Sequence, residues 1–220
     1  MSSRGLFITV EGGEGVGKST NIAALGHYLS SQGIDPVMTR EPGGTLLGEQ
    51  IRALLLNIEG APVATLTELL LVFAARAQHI AEVIEPALAQ GQWVISDRFT
   101  DATYAYQGGG RGVDADVVRT LENLVQRSLR PDLTILLDVP VAVGMERARG
   151  RGELDRIERE DLAFFERVRA AYLALAENGG GRYRIVDARQ PLERVEQEIL
   201  KIGEELVVCR TTHGASGEWS

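Results

Sequence analysis

The sequence predicts an α/β protein with a five-stranded parallel sheet that carries helices on both faces. Five short runs rich in isoleucine, valine and leucine alternate with longer stretches of helical periodicity, and this alternation is typical of parallel sheets. The runs lack the polar alternation of a half-exposed strand, so we expect each of them to be buried on both faces. A glycine-rich turn directly after the first run is the third indication, because phosphate-binding α/β folds carry such a turn there.

In chain order, the predicted strands cover residues 6–11, 36–40, 93–97, 133–139 and 183–186. The predicted helices show apolar residues at helical spacing, and they cover about residues 18–32, 46–57, 66–90, 114–128, 141–150, 158–177 and 191–207. Because ligands of parallel sheets bind beyond the carboxyl ends of the strands, the residues directly after each strand are the first candidates for a site.

The predicted helix 66–90 is apolar around most of its circumference, whereas a surface helix shows only an apolar stripe. Two interpretations stay open: a second subunit covers its outer side, or it is a central helix within one domain. Residues 1–208 are expected to form a single domain. The polar, aperiodic stretch 209–220 is expected to be a flexible C-terminal tail.

Composition excludes several classes of protein. The 220 residues are 44% apolar and 25% charged, as in ordinary globular proteins, and the net charge of −8 argues against nucleic acid and anionic lipid as partners. No apolar run approaches the ~18 residues of a membrane helix, and the first residues do not form a secretory signal. The single cysteine, Cys209, cannot form an internal disulfide, so we expect a reducing cytoplasm.

The turn after the first strand has the pattern G-x-x-x-x-G-K-S from Gly12 to Ser19. Its glycines let successive backbone N–H groups surround an anion, and the following helix points its positive end at the same place. In such loops the lysine, here Lys18, reaches the β- and γ-phosphates, and the hydroxyl of Ser19 can ligate Mg²⁺. The predicted nucleotide-binding residues are Gly12, Gly13, Glu14, Gly15, Val16, Gly17, Lys18, Ser19 and Thr20.

This phosphate loop alone predicts an NTP and Mg²⁺ without choosing among GTPases, ATPases and small-molecule kinases. No asparagine is followed by lysine, so the N-K-x-D motif that reads guanine is absent. The chain is also short for a motor or transporter ATPase. Small phosphoryl-transfer enzymes are therefore favoured.

Polar residues follow the second and third strands. Asp97 ends the third strand, where it can hold Mg²⁺ through water, and Arg98 can hold an anion; an ordinary surface ion pair is the alternative. The second strand leads into the turn 39–45, with Arg52 on the next helix, and here an ordinary turn stays open. Residues 100–112 place polar, amide and aromatic groups before a flexible glycine run, which suits a pocket beside a moving loop.

Four segments together resemble bacterial thymidylate kinases: EGGEGVGKST, TREPGGT, DRFTDATYAYQGGGRG and RARGRGELDRIE. They occur in the order and at the spacing of that family, and the resemblance covers about residues 5–205. It implies a nucleoside monophosphate kinase fold of the P-loop NTPase class, with a short mobile lid at about 147–160. It also implies the reaction ATP + dTMP ⇌ ADP + dTDP, with Mg²⁺, in a cytoplasmic homodimer.

The resemblance implies a role for each matching residue of the acceptor site. Arg98 is similar to the arginine that holds the acceptor phosphate, and Arg52 to a second arginine directed at it. Phe73 matches the ring that stacks on thymine, and Arg76 the arginine that hydrogen-bonds a thymine carbonyl. The i, i+3 spacing of Phe73 and Arg76 permits both to share one helix face. From the pattern alone, a core position for Phe73 and a solvated position for Arg76 stay open.

Further matches complete the resemblance. Thr103 and Gln107 match side chains that face the base, and Tyr106 matches a tyrosine that crowds the 2′ position of the sugar. Glu14 matches a loop carboxylate near the acceptor sugar and the metal. Glu41-Pro42 matches a turn whose peptide bond is cis in relatives.

The phosphate loop lacks an arginine that some relatives have, so the lid is the candidate source of the missing cation. Where those relatives carry a catalytic arginine in the phosphate loop, this chain has Gly15. The lid of the bacterial branch supplies arginines instead, which makes Arg151 the first candidate and Arg149 the second, with Arg147 assigned to ATP. A charged, solvated helix junction is the alternative.

The chemistry implied by the resemblance needs no general base. A phosphate monoester has a second pKa of about 6 and is mostly dianionic at pH 7. The reaction must bring two anions together, and their repulsion would be offset by four cations: Mg²⁺, Lys18, Arg98 and a lid arginine.

Three alternative functions stay open: a deoxynucleoside kinase, a kinase for another pyrimidine monophosphate, and a regulatory P-loop NTPase. Arg76 only donates hydrogen bonds, which disfavours the amino group of cytosine.

We expect Arg151→Ala to lower kcat at least ~10²-fold and to leave dTMP binding nearly intact, because an arginine finger contributes about 10³–10⁵ in rate. Steady-state kinetics with equilibrium binding of dTMP is the measurement. Wild-type kcat in the mutant would contradict the assignment.

Overall fold

The computed structural model describes residues 4–57, 62–150 and 154–213. Five parallel strands form one sheet with the order β2-β3-β1-β4-β5. They are β1 Phe7–Glu11, β2 Val37–Arg40, β3 Val94–Asp97, β4 Leu133–Asp138 and β5 Tyr183–Asp187. The predicted fold class is confirmed, and each strand begins and ends within one residue of its prediction.

Nine helices belong to the described residues: α1 Lys18–Ser31, α2 Leu46–Leu56, α3 Thr65–His79, α4 Glu85–Ala89, α5 Thr100–Thr103, α6 Ala115–Gln126, α7 Val141–Arg149, α8 Leu162–Asn178 and α9 Leu192–His213. Helix α9 continues to His213, so residues 209–213, which we assigned to the tail, are helical. Residues 214–220 lie outside the described part of the chain. No helix of the described ranges is long and apolar enough to cross a membrane.

Apolar cores lie on both sides of the sheet. On one side, Leu25 of α1 and Ile199 of α9 pack with Ile8 and Ile135 of the central strands. On the other side, Phe7 and Val94 pack with Ile84 and Phe99, while Leu136 packs with Phe165 and Tyr172 of α8. Strand β1 is buried along its whole length, as its unbroken apolar run predicts.

The segment 66–90 is not one regular helix. A π-helical turn, Ile80–Ile84, separates α3 from α4. Helix α3 packs against both α2 and α6, and it buries Leu69 and Phe73 while Leu66 and Leu70 stay exposed. Within this one chain the helix is therefore only partly covered.

The glycine run 108–110 does not form the flexible loop that the sequence predicts. It lies in a second π-helical turn, Tyr104–Gly110, which packs against α8. A Cβ atom on Gly110 would lie 2.4 Å from the ring of Phe164, and one on Gly109 would lie 2.8 Å from the Cβ of Ala171. These glycines therefore permit close packing between helices.

Candidate active site

One cavity of about 290 Å³ opens at the carboxyl ends of the strands and runs from the phosphate loop to α3. It brings together most of the predicted site residues: Glu14, Gly15, Val16, Gly17, Lys18, Ser19, Glu41, Pro42, Arg52, Arg76, Asp97, Arg98, Thr103, Tyr106 and Gln107. Gly12 and Gly13 border a smaller cavity behind the loop. Thr20 is the third residue of α1 and is exposed.

The phosphate loop is shaped by close backbone packing. Gly12, Gly15 and Gly17 have φ values of 135°, 68° and 86°, a region that glycine adopts without steric cost. A Cβ atom on Gly15 would lie 1.9 Å from the carbonyl oxygen of Gly144 in α7, so a side chain does not fit there. This contact also explains why no arginine stands at position 15.

Lys18 folds back over the loop. Its Nζ donates to the carbonyl oxygens of Gly12 and Gly13, at 3.2 and 3.1 Å. Burial and the nearby Arg98 lower the pKa of Lys18, against the opposing effect of Asp97 and Glu14. An anion bound beside this ammonium would favour its charged form.

Arg98 is fixed from several directions. Its backbone has φ 70°, Nη1 donates to the carbonyl oxygen of Gly12 at 2.8 Å, and Nη2 donates to Glu14 Oε1 at 2.9 Å. The guanidinium also lies 4.8 Å from the centre of the Tyr106 ring. The ion pair of Arg98 is therefore with Glu14 inside the cavity, so the alternative of a surface pair with Asp97 is wrong.

Ser19 and Asp97 offer hard oxygen atoms in the same cavity as Lys18. Asp97 Oδ1 is buried and has no hydrogen-bond partner among the described residues, which leaves it available to a cation or to cation-bound water. Mg²⁺ prefers such oxygens and usually takes only one or two carboxylates from the protein. The described residues hold no cluster of three or more metal-ligating side chains. A cation held by Ser19 and Asp97 would take its other ligands from water or from a bound phosphate.

Arg76 lies at the other end of the cavity and is 1% exposed. Its Nε donates to Glu41 Oε2 at 2.7 Å, and its Nη2 donates to Thr103 Oγ1 at 2.9 Å. The guanidinium lies 4.8 and 5.0 Å from the ring centres of Phe73 and Phe99. Its Nη1 is buried and has no partner among the described residues, so this fixed side chain keeps a hydrogen-bond donor for a ligand.

Phe73 is not brought to the cavity wall. It packs with Leu69 and Val118 in the core, and Val72 lines the cavity instead. At about 100° per residue, position 72 lies about 40° around the helix from Arg76, and position 73 lies about 60° to the other side. The spacing of Phe73 and Arg76 permits a shared face, but the cavity lies on the side of Val72.

The turn after β2 holds Arg52 in the cavity. The Glu41-Pro42 peptide bond is cis, as the resemblance implies, and Arg52 Nη1 donates to the carbonyl oxygen of Pro42 at 3.0 Å. Burial and the neighbouring Arg40 lower the pKa of Arg52. A bound anion would offset both effects.

Glu68 is a site residue that sequence reasoning missed. It is 2% exposed, and its carboxylate accepts from Gln107 Nε2 at 2.9 Å, Arg111 Nε at 3.2 Å and Arg156 Nη2 at 2.6 Å. Burial raises the pKa of Glu68, but the hydrogen bonds from Gln107 and Arg156 outweigh it and hold this pKa below its usual value. The signal that could have identified Glu68 is a carboxylate within the apolar helical run 66–90.

Residues 154–160 are docked over the cavity through the same network. Arg156 Nε donates to the carbonyl oxygen of Leu55 at 2.6 Å, and Arg111 Nη1 donates to Glu160 Oε1 at 2.6 Å. Asp155 and Ile157 line the cavity. Glu68 therefore connects the docked segment to Gln107 at the inner end of the cavity.

The predicted lid arginines lie apart from the cavity or outside the described residues. Arg147 is exposed on α7, and its Nη1 donates to the carbonyl oxygen of Ala188 at 2.8 Å. Arg149 is exposed at the end of α7. Arg151 lies outside the described residues.

Comparisons with known proteins agree on one family. The family model described as thymidylate kinase matches residues 10–199. The thymidylate kinase of Teredinibacter turnerae is 57% identical to this chain over 89% of this chain and 95% of the relative. The thymidylate kinase of Alcanivorax borkumensis is also 57% identical, over 92% of this chain and 97% of the relative. The crystal structure of thymidylate kinase from Ehrlichia chaffeensis superposes with a TM-score of 0.74 at 33% identity, covering 90% of this chain and 98% of that one.

We expect Glu68→Gln to loosen the docking of residues 154–160, since a neutral amide has one acceptor oxygen where the carboxylate has two. A hydrogen bond between charged groups contributes about 1.5–3 kcal/mol, so local opening should become at least about tenfold more frequent. Hydrogen exchange of peptides covering residues 154–160, followed by mass spectrometry, is the measurement. Glu85→Gln, an exposed change in α4, is the control, and equal exchange rates in both variants would contradict the docking role.

Proposed function

This chain belongs to the thymidylate kinase family, and from that premise we propose how its cavity transfers the γ-phosphoryl group of ATP to dTMP, giving dTDP and ADP. The observation that carries the proposal is the continuity of the cavity. The phosphate loop, the buried donor of Arg76, Arg52 and Arg98 all line one space. An acceptor that carries both a base and a phosphate fits this set of groups.

The acceptor phosphate is assigned to Arg98 and Arg52. Arg98 is held toward the phosphate loop by the Gly12 carbonyl and Glu14, so a phosphate on it faces the donor nucleotide. The nucleophile is a phosphate oxygen that is already ionised at pH 7, because its second pKa is about 6. Neither Glu14 nor Asp97 is needed as a base, and catalysis rests on positioning and positive charge.

The base is assigned to the inner end of the cavity. Arg76 Nη1 is the donor for a thymine carbonyl, Thr103 and Gln107 face the base, and Val72 rather than Phe73 forms the apolar wall. Tyr106 donates through its hydroxyl to Glu14 Oε1 at 2.7 Å, which fixes its ring beside the sugar. A fixed ring in that place excludes a 2′-hydroxyl more effectively than a mobile one.

The donor nucleotide is assigned to the loop Gly12–Thr20. The family resemblance adds Arg147 to its site and makes Arg151 or Arg149 the lid cation, although Arg147 and Arg149 lie apart from the cavity in this structure. Ser19 and Asp97 would hold Mg²⁺, which neutralises charge on the β- and γ-phosphates when it is bound. Lys18 exchanges its loop carbonyl partners for phosphate oxygens, which keeps its positive charge at the transferring group. We place the reaction in the cytoplasm, because a chain with one cysteine forms no internal disulfide and suits a reducing compartment.

The decisive experiment measures Mg²⁺-dependent turnover of ATP with dTMP, dUMP, dCMP and thymidine in parallel, with ADP and the phosphorylated product both quantified. We expect dTDP to form fastest. The variant Arg52→Met should lower kcat/KM for dTMP about 10- to 100-fold, since a hydrogen bond between charged groups contributes about 1.5–3 kcal/mol, and should leave any thymidine reaction unchanged.

The other outcomes separate the alternatives. Preference for thymidine would show a deoxynucleoside kinase and contradict the roles of Arg98 and Arg52. Preference for dUMP or dCMP would contradict the base site at Arg76. ADP without a phosphorylated nucleotide would indicate an NTPase.

We also propose that the chain works as a homodimer. Exposed leucines lie on α2 and α3, which pack against each other, and on α6, which packs against α3; they include Leu46, Leu54, Leu66, Leu70 and Leu124. Contiguous exposed apolar surface is typical of protein interfaces. Of the two interpretations of the segment 66–90, this proposal adopts the one in which a second subunit covers its outer side.

We expect sedimentation velocity to give twice the chain mass for the wild-type protein and the chain mass for Leu70→Glu, because a buried unpaired carboxylate opposes association. Leu192→Glu on α9 is the matched control, since Leu70 and Leu192 are both 49% exposed, and it should stay dimeric. A monomeric wild-type protein would contradict the proposal.

A further inference from the structure

We propose that Glu11 is a positioning residue that fixes Arg98 from two sides, through the backbone at Phe99 and through the hydroxyl of Tyr172. The inference rests on the proposed role of Arg98 in holding the acceptor phosphate. Glu11 is the last residue of β1 and is 1% exposed. It does not line the cavity, so it acts through Arg98 and makes no contact with substrate.

The first connection supports the backbone of Arg98. A φ of 70° is unfavourable for a residue with a side chain, and it turns the following amide away from the strand ladder. That amide, Phe99 N–H, donates to Glu11 Oε1 at 2.7 Å. The carboxylate therefore satisfies a buried donor that the left-handed turn creates, and it stabilises the backbone conformation that directs Arg98 at the phosphate loop.

The second connection supports the guanidinium. Tyr172 of α8 is 2% exposed; its hydroxyl donates to Glu11 Oε2 at 2.8 Å and accepts from Arg98 Nη1 at 3.0 Å. Arginine can only donate, and the tyrosine hydroxyl has one proton, so the direction of the chain is fixed from Arg98 through Tyr172 to Glu11. Both carboxylate oxygens of Glu11 must accept, which requires the ionised form.

The surroundings make this requirement sensitive to pH. Burial and the facing carboxylate of Asp101 raise the pKa of Glu11 to about 7, while Arg98, the Tyr172 hydroxyl and the Phe99 amide act in the opposite direction. Lys18 of α1 and Tyr183 of β5 also interact electrostatically with Glu11. As the pH falls below this value, protonated Glu11 loses one acceptor position and the relay to Arg98 is weakened.

The test compares Tyr172→Phe and Glu11→Gln with the wild-type protein by steady-state kinetics from pH 6 to 8. Each variant removes one link of the relay and keeps the shape of the side chain. At pH 8 we expect KM for dTMP to rise at least fivefold and KM for ATP to stay within twofold. At pH 6 the ratio of KM for dTMP in the variant to that in the wild-type protein should fall toward one, because protonation of Glu11 weakens the relay in the wild-type protein as well. The ionisation of dTMP also changes over this range, but it affects variant and wild-type proteins equally and cancels in the ratio.

Tyr183→Phe is the matched control. Its hydroxyl is also buried and donates to a carboxylate, Asp101 Oδ2 at 2.7 Å, but it makes no hydrogen bond to Glu11 or Arg98. At pH 8, where Glu11 is mostly ionised, KM for dTMP in this variant should therefore stay at the wild-type value. Tyr172→Phe keeps the test decisive if Glu11→Gln does not fold.

Two results would overturn the relay. One is an unchanged KM for dTMP in Tyr172→Phe. The other is a rise in KM that is equal for ATP and dTMP, or equal at every pH, because a loss of general structure would produce that pattern. Failure of the wild-type protein to phosphorylate dTMP would instead overturn the proposed function.

Discussion

The carbonyl oxygen of Gly12 accepts hydrogen bonds from both Lys18 Nζ and Arg98 Nη1, at 3.2 and 2.8 Å. One backbone atom of the phosphate loop thus holds the ammonium of Lys18 and the guanidinium of Arg98 together. The backbone of Gly12 has φ 135°, and a Cβ atom there would lie 2.3 Å from the carbonyl oxygen of Leu137. The packing of the loop against β4 therefore sets the position of these two cations.

Two positive charges held side by side in a buried place need compensation until anions arrive. Glu14 and the loop carbonyls provide it. The chain has a net charge of −8, yet its cavity concentrates guanidinium and ammonium groups. Such a preorganised arrangement favours the transferring phosphoryl group because little reorganisation is needed during the reaction. Arg76 is held in the same way elsewhere in the cavity, where buried partners fix its Nε and Nη2 and leave Nη1 without a partner among the described residues.

The sequence predicted short local features and missed distant partnerships. The glycine turn after β1, and Asp97 and Arg98 at the end of β3, follow from short motifs whose geometry depends on adjacent residues, whereas the cis bond at Glu41-Pro42 was implied only by the family resemblance. Glu68 was missed because its partner Arg156 lies 88 positions away, and Tyr172 lies 161 positions from Glu11. Spacing along the chain carries no information about such pairs.

What the sequence determined by itself was the fold class, the strand limits and the glycine turn between β1 and α1, because apolar periodicity and glycine placement act within a few residues. Tertiary structure alone decided which face of α3 meets the cavity, and so placed Val72 there and Phe73 in the core. It also decided that the glycine run 108–110 packs tightly against α8 and that residues 154–160 dock on Glu68. These outcomes depend on which helices become neighbours, and that is fixed by burial of the whole core.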